Sequence, residues 1–306
     1  MIRTAAALFA ALALVAAACT ASDSTSTAPE GSAGFPITID APSGPATLDA
    51  QPTKIVSLSP TATEILFAVG AGDQVVAVDD QSNYPDGAPV TDMTGFSPNI
   101  EAIAALGADL VVLGFDPGEV VAALDAVGIP AIVHPAAIDL DDAYTQIEQL
   151  GAASGHVAEA AAVVAGMRED IARIAAETDA GGATYYHELD PTLYSATSGT
   201  FAGALYRMLG LVNIADAAPD PDGFGYPQLS PEHIVSEDPD LVFLADTKCC
   251  GQNTATVADR PGWETMRAVQ RGTIVELDDD VASRWGPRVV EFMETVAAAI
   301  GALVEG

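Results

Sequence analysis

The chain has 306 residues, of which 49% are hydrophobic, and it carries 43 acidic but only 11 basic side chains, a formal net charge of −32 at pH 7. This hydrophobic content is ample for one large core or two smaller ones, which excludes a disordered chain. So negative a protein repels phosphate backbones, which argues against a nucleic-acid partner. A solvated acidic surface is the simplest interpretation, and attraction of a cationic ligand is the alternative.

The first 18 residues have the layout of an export signal. Arg3 precedes an Ala/Leu/Val run that ends in three alanines before Cys19, and this run is too short to cross a bilayer comfortably. A Cys in this setting resembles a bacterial lipoprotein cleavage site, which predicts acylation of Cys19 and an anchor on the extracytoplasmic face of the membrane. Ala16 stands where such sites usually have Leu, so ordinary signal-peptidase cleavage is an alternative.

Residues 19–52 are rich in Ser, Thr, Pro, Gly and Ala without apolar periodicity, which predicts a flexible tether. Within it, residues 35–40 could form a short edge strand. An N-terminal α/β lobe is predicted over 53–139, because compact apolar runs alternate there with segments of helical spacing. The predicted strands are 54–58, 75–78, 109–115 and 131–133, and the predicted helices are 60–69, 99–106 and 118–127. Such alternation predicts parallel strands with right-handed crossovers.

Linking helices are predicted over 140–180, at 140–152 and 155–179, with no strand between them. The second would be about 38 Å long at 1.5 Å per residue. Gly166 lies within it at a cost of about 1 kcal/mol relative to Ala, and we interpret it as a close packing contact rather than a hinge.

A C-terminal α/β lobe is predicted over 181–306. Its predicted strands are 184–189, 241–245 and 273–277, and its predicted helices are 201–209, 231–236, 261–268 and 286–304. The fold class is therefore α/β, with two Rossmann-like lobes of parallel sheet joined by a single long helix. One stiff helical crossing predicts small opening angles and a pocket formed largely before the ligand arrives.

Four segments in order along the chain resemble one family. They are 54–66 (KIVSLSPTATEIL), 83–85 (NYP), 226–230 (YPQLS) and 238–244 (DPDLVFL), within a likeness that runs from about residue 54 to about residue 304. They resemble the helical-backbone binding proteins for cobalamin, ferric siderophores and heme. This resemblance implies a class III periplasmic-binding-protein fold and a monomeric, extracytoplasmic subunit of an ABC importer that delivers its ligand to a membrane permease. Within the family the motifs favour a corrinoid, with a ferric siderophore, heme or a free metal ion as alternatives.

The ligand site is predicted at the carboxyl ends of the strands, where a crevice opens in parallel sheets. Ten side chains on the loops of the two lobes are candidates: Ser59, Tyr84, Phe96, Phe115, His134, Phe201, Tyr226, Lys248, Arg284 and Trp285. Ordinary packing is the alternative for each aromatic one. Lys248 and Arg284 could clamp a phosphate or carboxylate of the ligand, or they could neutralise nearby acids such as Asp246 and residues 278–280.

Cys249 and Cys250 are adjacent in an exported chain, which predicts a vicinal disulfide beside the pocket. Contact with a soft metal or with the cobalt of a cofactor, and two free thiols, are the alternatives.

The family resemblance also implies one carboxylate on each lobe that docks onto the permease. Glu64 matches that position in the first lobe, whereas a structural role at a helix start would also suit an exposed Glu. The matching helix of the second lobe has Arg207 instead, so either another acid such as Glu232 docks or the permease differs.

Other classes of protein find little support. The chain lacks the phosphate-loop, zinc-protease and nucleophile-elbow motifs, so no catalytic residue and no cofactor are predicted. A free-metal receptor needs converging imidazoles, and the four histidines are His134, His156, His187 and His233. Ser59 occupies the place where zinc and manganese receptors similar to this chain have His, so no metal site is predicted. Heme would need an axial ligand, for which His134 and Tyr84 are the candidates.

Overall fold

A computed structural model of the protein describes residues 34–42 and 44–305, with side chains through residue 303. The signal predicted over 1–18 and the acylated Cys19 lie outside the described residues. Among the described helices, none combines the length and the apolar character needed to cross a membrane.

An antiparallel hairpin precedes the first lobe. Its strands are β1 (Ile37–Ala41) and β2 (Gly44–Leu48), and alternate residues on one face are buried in the core that the lobe shares. The side chain of Gln149 donates to the Asp40 carbonyl at 2.9 Å, which ties the hairpin to a later helix. The predicted tether over 19–52 is therefore too long, because the period-two pattern of so short a hairpin is hidden among Gly, Pro and Ser.

The first lobe is a four-stranded parallel sheet in the order β4-β3-β5-β6. Its strands are β3 (Ile55–Leu58), β4 (Val75–Val78), β5 (Leu110–Leu113) and β6 (Ala131–Val133). Its helices are α1 (Pro60–Ala68), α2 (Ile100–Ala105) and α3 (Val120–Asp125). All four residues of β3 and of β5 are buried, as expected for a parallel sheet covered on both faces.

Two helices connect the lobes, α4 (Leu140–Ser154) and α5 (Val157–Glu177). The 21 residues of α5 give a rod about 31 Å long at 1.5 Å per residue. The close contact predicted at Gly166 is wrong, since a Cβ there would meet no atom within 4 Å. The tight approach is at Gly151, where a Cβ would lie 2.2 Å from the Cβ of Ala160; spacing alone does not reveal which glycine lies at a helix crossing.

The second lobe repeats the design, with a parallel sheet in the order β10-β9-β7-β8. Its strands are β7 (Thr184–Glu188), β8 (Val212–Asn213), β9 (Leu241–Leu244) and β10 (Ile274–Glu276). Its helices are α6 (Phe201–Met208), α7 (Pro231–Glu237), α8 (Thr247–Cys250), α9 (Thr254–Ala258), α10 (Arg267–Arg271), α11 (Asp279–Ser283) and α12 (Val289–Glu305). The predicted class of two parallel α/β lobes is confirmed.

One apolar core runs through both lobes. Ile55 and Leu110 of the first sheet, Val164 of α5, and Phe243 and Phe292 of the second lobe belong to the same cluster of buried residues. Each sheet packs a separate cluster against its other face. Because the shared core passes along α5 and α12, the lobes are joined by packed side chains as well as by the chain itself.

Candidate functional site

The loops at the carboxyl edges of the two sheets meet, and they carry the exposed aromatic side chains of the described residues. Six aromatic residues are exposed, with Phe96 at 74% and Phe224 at 80%. They follow strands in both lobes: Tyr84, Phe96 and Phe115 in the first, and Tyr194, Phe224 and Tyr226 in the second. Large apolar side chains left in water at one place are typical of a binding surface. The exposed aromatic side chains thus lie on loops after strands of both sheets, the region where the strand-end rule predicts a ligand site.

In the first lobe, a tight backbone contact shapes the wall of the crevice. A Cβ at Gly95 would lie 2.9 Å from the Leu58 carbonyl oxygen, so only glycine lets this loop rest on the end of β3. The ring of Phe96 then lies beside that of Phe115, with centroids 5.5 Å apart. Ser59 is not part of this surface. It is 3% exposed and its hydroxyl accepts from the Ala62 amide at 3.4 Å as the N-cap of α1, so the ligand contact predicted for it is wrong.

In the second lobe, two loops pair to present their aromatic rings. The Thr197 amide donates to the Gly225 carbonyl at 2.8 Å, and Tyr194 bridges to Gln228. Tyr226 is 47% exposed between them. Phe201 was expected in this wall, but it is half-buried in α6 and lines a different groove, between α4, α5 and α6.

A buried network of charges joins the lobes beside these walls. Arg284, 8% exposed, donates to Glu64 Oε1 and Asp280 Oδ1, both at 2.7 Å. It also donates to the Gln81 carbonyl at 2.9 Å and to the Asn83 side chain at 3.1 Å.

Arg288 holds the other side of Glu64. Its Nε donates to Glu64 Oε2 at 3.0 Å and its Nη2 to Glu64 Oε1, while its guanidinium lies 4.2 Å from the centre of the Tyr84 ring. The predicted exposure of Glu64 as a docking carboxylate is wrong, because its side chain is 1% exposed. Arg284 is likewise committed to protein groups rather than free for a ligand.

Comparison with known proteins places this fold and crevice in a family. The family described as periplasmic binding protein matches residues 55–281. This chain belongs to the periplasmic binding protein family. It is 30% identical over 280 residues to the uncharacterized ABC transporter substrate-binding lipoprotein YvrC of Bacillus subtilis (strain 168), a match that covers 87% of this chain and 86% of that protein.

Two further similarities concern proteins named for a corrinoid. The chain is 33% identical over 279 residues to the cobalamin-binding protein of Halobacterium salinarum (strain ATCC 29341 / DSM 671 / R1), covering 87% of this chain and 74% of that one. The crystal structure of the periplasmic vitamin B12 binding protein BtuF of Vibrio cholerae matches with a TM-score of 0.68 at 25% identity, over 84% of this chain and 100% of that one.

Lys248 of this periplasmic binding protein neutralises local acids. Its Nζ lies 2.7 Å from both Asp278 Oδ1 and Asp280 Oδ2. Burial alone would lower the pKa of Lys248, but these two hydrogen bonds raise it overall. Asp280 in turn accepts from the Asn83 side chain of the other lobe at 3.0 Å. Lys248 and Arg284 therefore both neutralise nearby acids, which is the alternative to clamping a ligand.

Trp285 and His134 also differ from expectation. The indole of Trp285 donates to Gln146 Oε1 at 2.7 Å, so it joins the C-terminal lobe to α4 and its polar atom is not available to a ligand. His134 is 2% exposed with Nε2 2.8 Å from Gln149 Oε1, and burial lowers its pKa to about 4. A neutral buried imidazole facing α4 cannot reach the crevice, which contradicts both its ligand-binding and its axial-ligand roles.

The other histidines are held separately. His187 lies 2.9 Å from the Tyr206 hydroxyl inside the second lobe, and His156 and His233 bond to the Ser154 and Ile214 carbonyls. Within the described residues, no group of three or more His, Cys, Asp and Glu side chains is arranged to hold a metal ion.

Cys249 and Cys250 are joined by a disulfide and are exposed at the carboxyl edge of the second sheet. The carboxylate of Asp279 accepts from the amides of Thr247, Lys248 and Cys249 at 2.8 to 2.9 Å. The short helix α8 that carries the disulfide is thus fixed at its start by one side chain.

A buried acidic pair, Glu188 and Asp246, lies at the strand ends of the second lobe. Arg260 binds Glu188 through two hydrogen bonds, at 2.6 and 2.5 Å. Asp246 beside it is fully buried, and neither of its carboxyl oxygens has a hydrogen-bond partner among the described residues. Burial first, and then the neighbouring Glu188, raise the pKa of Asp246 to about 7. Glu188 is the last residue of β7 and Asp246 lies two residues after β9, and this position at the strand ends is the signal in the sequence that points to them.

Proposed function

We propose that this protein is the extracytoplasmic ligand-capture subunit of an ABC importer and that its ligand is a corrinoid. The observation that carries the proposal is the set of exposed aromatic side chains on the strand-end loops of both lobes, which we take as the walls of the ligand crevice. Broad flat rings match a bulky planar guest, because stacked and edge contacts with aromatic side chains hold apolar faces without needing charge.

The charges around the crevice favour a corrinoid over more acidic ligands. The basic side chains at the inter-lobe junction, Lys248, Arg284 and Arg288, are all engaged with carboxylates of the protein. Heme brings two carboxylates that would then lack a cationic partner. A corrinoid has a rim of neutral amides, which backbone groups and tyrosine hydroxyls can satisfy. The cobalamin-binding relative supports the same choice.

Export and anchoring form part of the proposal. The signal over 1–18 and Cys19 would leave a monomer tethered to the outer face of the cell membrane by a lipid on Cys19, next to the permease that receives the ligand. The lipoprotein name of the Bacillus relative supports this anchor. No catalytic role and no resident cofactor are proposed.

Titration of the purified protein with cyanocobalamin, monitored by the quenching of tryptophan fluorescence, tests the proposal. We expect saturable one-to-one binding, and weaker or no binding of heme and of a ferric hydroxamate. The double variant Phe96→Ala/Phe115→Ala should weaken binding by about ten- to a hundredfold, since each ring buries apolar surface on the ligand.

Val127→Ala is the matched control, because Val127 is 55% exposed at the opposite edge of the same sheet. Its affinity should equal that of the unmodified protein. Binding of heme or the hydroxamate in place of cyanocobalamin would overturn the corrinoid but keep the capture function. Turnover of a substrate at enzymatic rates would overturn the class.

A further inference from the structure

Three basic side chains of this acidic protein lie together at one junction between the lobes. Three of its 11 basic residues, Lys248, Arg284 and Arg288, lie there. Two of them, Arg284 and Arg288, converge on the single carboxylate of Glu64, which α1 of the first lobe supplies. In a chain with 43 acidic residues, such concentration makes this carboxylate distinct from the solvated surface.

Every side chain of the junction spans the gap or braces one that does. Asn83 of the first lobe accepts from Arg284 and donates to Asp280 of the second lobe. Lys248 braces Asp280 from behind. The side chains of Glu64, Arg284 and Arg288 are 1%, 7% and 11% exposed, so their charges are hardly screened by water.

Buried charges of this kind favour one relative position of the lobes. Removing an ion from water is costly, and the cost is offset only while its partners keep good geometry. A small displacement of one lobe would leave Glu64 or a guanidinium buried without its partner. The junction therefore favours one relative position of the lobes and resists displacement, unlike a flexible hinge.

The same residues adjoin two of the candidate aromatic ligand contacts. Tyr84 follows Asn83 directly, and its ring lies against the guanidinium of Arg288. Trp285 follows Arg284 and donates across to Gln146 of α4. A shift of the second lobe relative to the first would therefore move Tyr84 and Trp285, because both are next in sequence to residues of the ion-pair network.

We propose that Glu64, Arg284 and Arg288 are positioning residues that hold the two walls of the crevice in register and so govern the rate at which the ligand leaves. This rests on the proposed function only in taking the crevice as the ligand site. Walls that no longer keep one relative position hold a bound ligand less long, whereas association rates change little among variants of one site.

Glu64→Gln in the full chain tests this, because it keeps the shape of the side chain and removes its charge. We expect the dissociation rate of cyanocobalamin, measured by a chase in stopped flow, to rise about tenfold or more, with the association rate within about threefold of the unmodified protein. Without ligand, amide hydrogen exchange should accelerate in residues 81–84 and 279–285, the segments that face each other across the junction.

Arg267→Ala is the matched control, since Arg267 pairs with Asp238 and Asp240 inside the second lobe alone. It should leave exchange in both segments unchanged. If Glu64→Gln fails to fold, Asn83→Ala takes its place, because it breaks two inter-lobe hydrogen bonds and keeps every charge paired.

Exchange in both segments that equals that of the unmodified protein would overturn the positioning role. Failure of the unmodified protein to bind cyanocobalamin would overturn the proposed ligand alone, because the exchange comparison needs no ligand.

Discussion

The first helices of the two lobes occupy equivalent places and behave differently. Helix α1 follows β3 and is capped by Ser59, while α6 follows β7 and is capped by Thr200. Residues 61–66 of α1 are all buried, whereas α6 buries only three of its eight residues. The charge of α1, on Glu64, is enclosed between the lobes. The charge of α6, on Arg207, is exposed, and alone among the arginines of the described residues it has no carboxylate within ion-pair distance.

The difference teaches that equal topology does not give equal roles to equivalent helices. In the first lobe, the charged side chain of the helix is buried in ion pairs that join the lobes, so it is not exposed to a partner. In the second lobe the helix leaves a cation and the half-buried Phe201 beside a groove of about 460 Å³ that Arg168 and Tyr144 also line. Glu64 and α6 therefore do not supply a symmetric pair of docking carboxylates, and Glu232, exposed in the first turn of α7, stays the predicted docking acid of the second lobe.

Among the variants considered, Glu64→Ala should lower the free energy of unfolding the most. It leaves Arg288 buried without its carboxylate and Arg284 with Asp280 alone, and breaking a buried ion pair typically costs about 3–5 kcal/mol of unfolding free energy. Urea denaturation at neutral pH measures the loss. A cost below about 1 kcal/mol would be the value for a solvent-screened pair and would contradict the buried character of the junction.

Asp246→Asn should change how the stability of the protein depends on pH. The folded-state pKa of Asp246 is raised to about 7, so the protonated form is favoured on folding. The stability it contributes is complete below the unfolded pKa of about 4 and is lost as pH rises to about 7. We expect unmodified protein to lose roughly 1–4 kcal/mol between pH 4 and pH 8 from this group.

The asparagine variant should lose less over the same range, since it has no proton to release, and thermal unfolding across pH measures the difference. Glu188, Arg260 and Asp279 also act on this carboxyl, so Glu188→Gln serves as a second variant. A pH profile identical to that of the unmodified protein would show that Asp246 does not titrate there.

Most of the fold follows from the sequence because its central strands β3, β5 and β9 are fully buried four-residue runs between helical segments. The runs around Ile55, Leu110 and Leu241 locate β3, β5 and β9 to within a residue or two. The two-residue strand β8 and the strand β2 are missed, whereas the edge strand predicted over 35–40 overlaps β1. Elements this short depend on tertiary contacts rather than on local preference.

The candidate site is predictable in part for a similar reason. Loops after parallel strands converge, so the exposed aromatic residues Phe96, Phe115 and Tyr226 could be chosen from strand order alone. The partners of the cations could not, because Arg284 and Glu64 are 220 residues apart. Their pairing depends on how the lobes sit together, which no local pattern specifies.

Arg207→Ala should have the smallest effect on the protein itself and completes the comparison with Glu64. An exposed side chain without an ion pair contributes within about 0.5 kcal/mol to stability, so urea denaturation should barely change. Arg173→Ala is the control, because Arg173 is exposed on α5 but paired with Asp170, and such surface pairs are worth little. A loss above about 1 kcal/mol for Arg207→Ala would mean that this cation is already engaged within the protein. A neutral result leaves α6 with a charge that folding does not use, which is the opposite of the situation in α1.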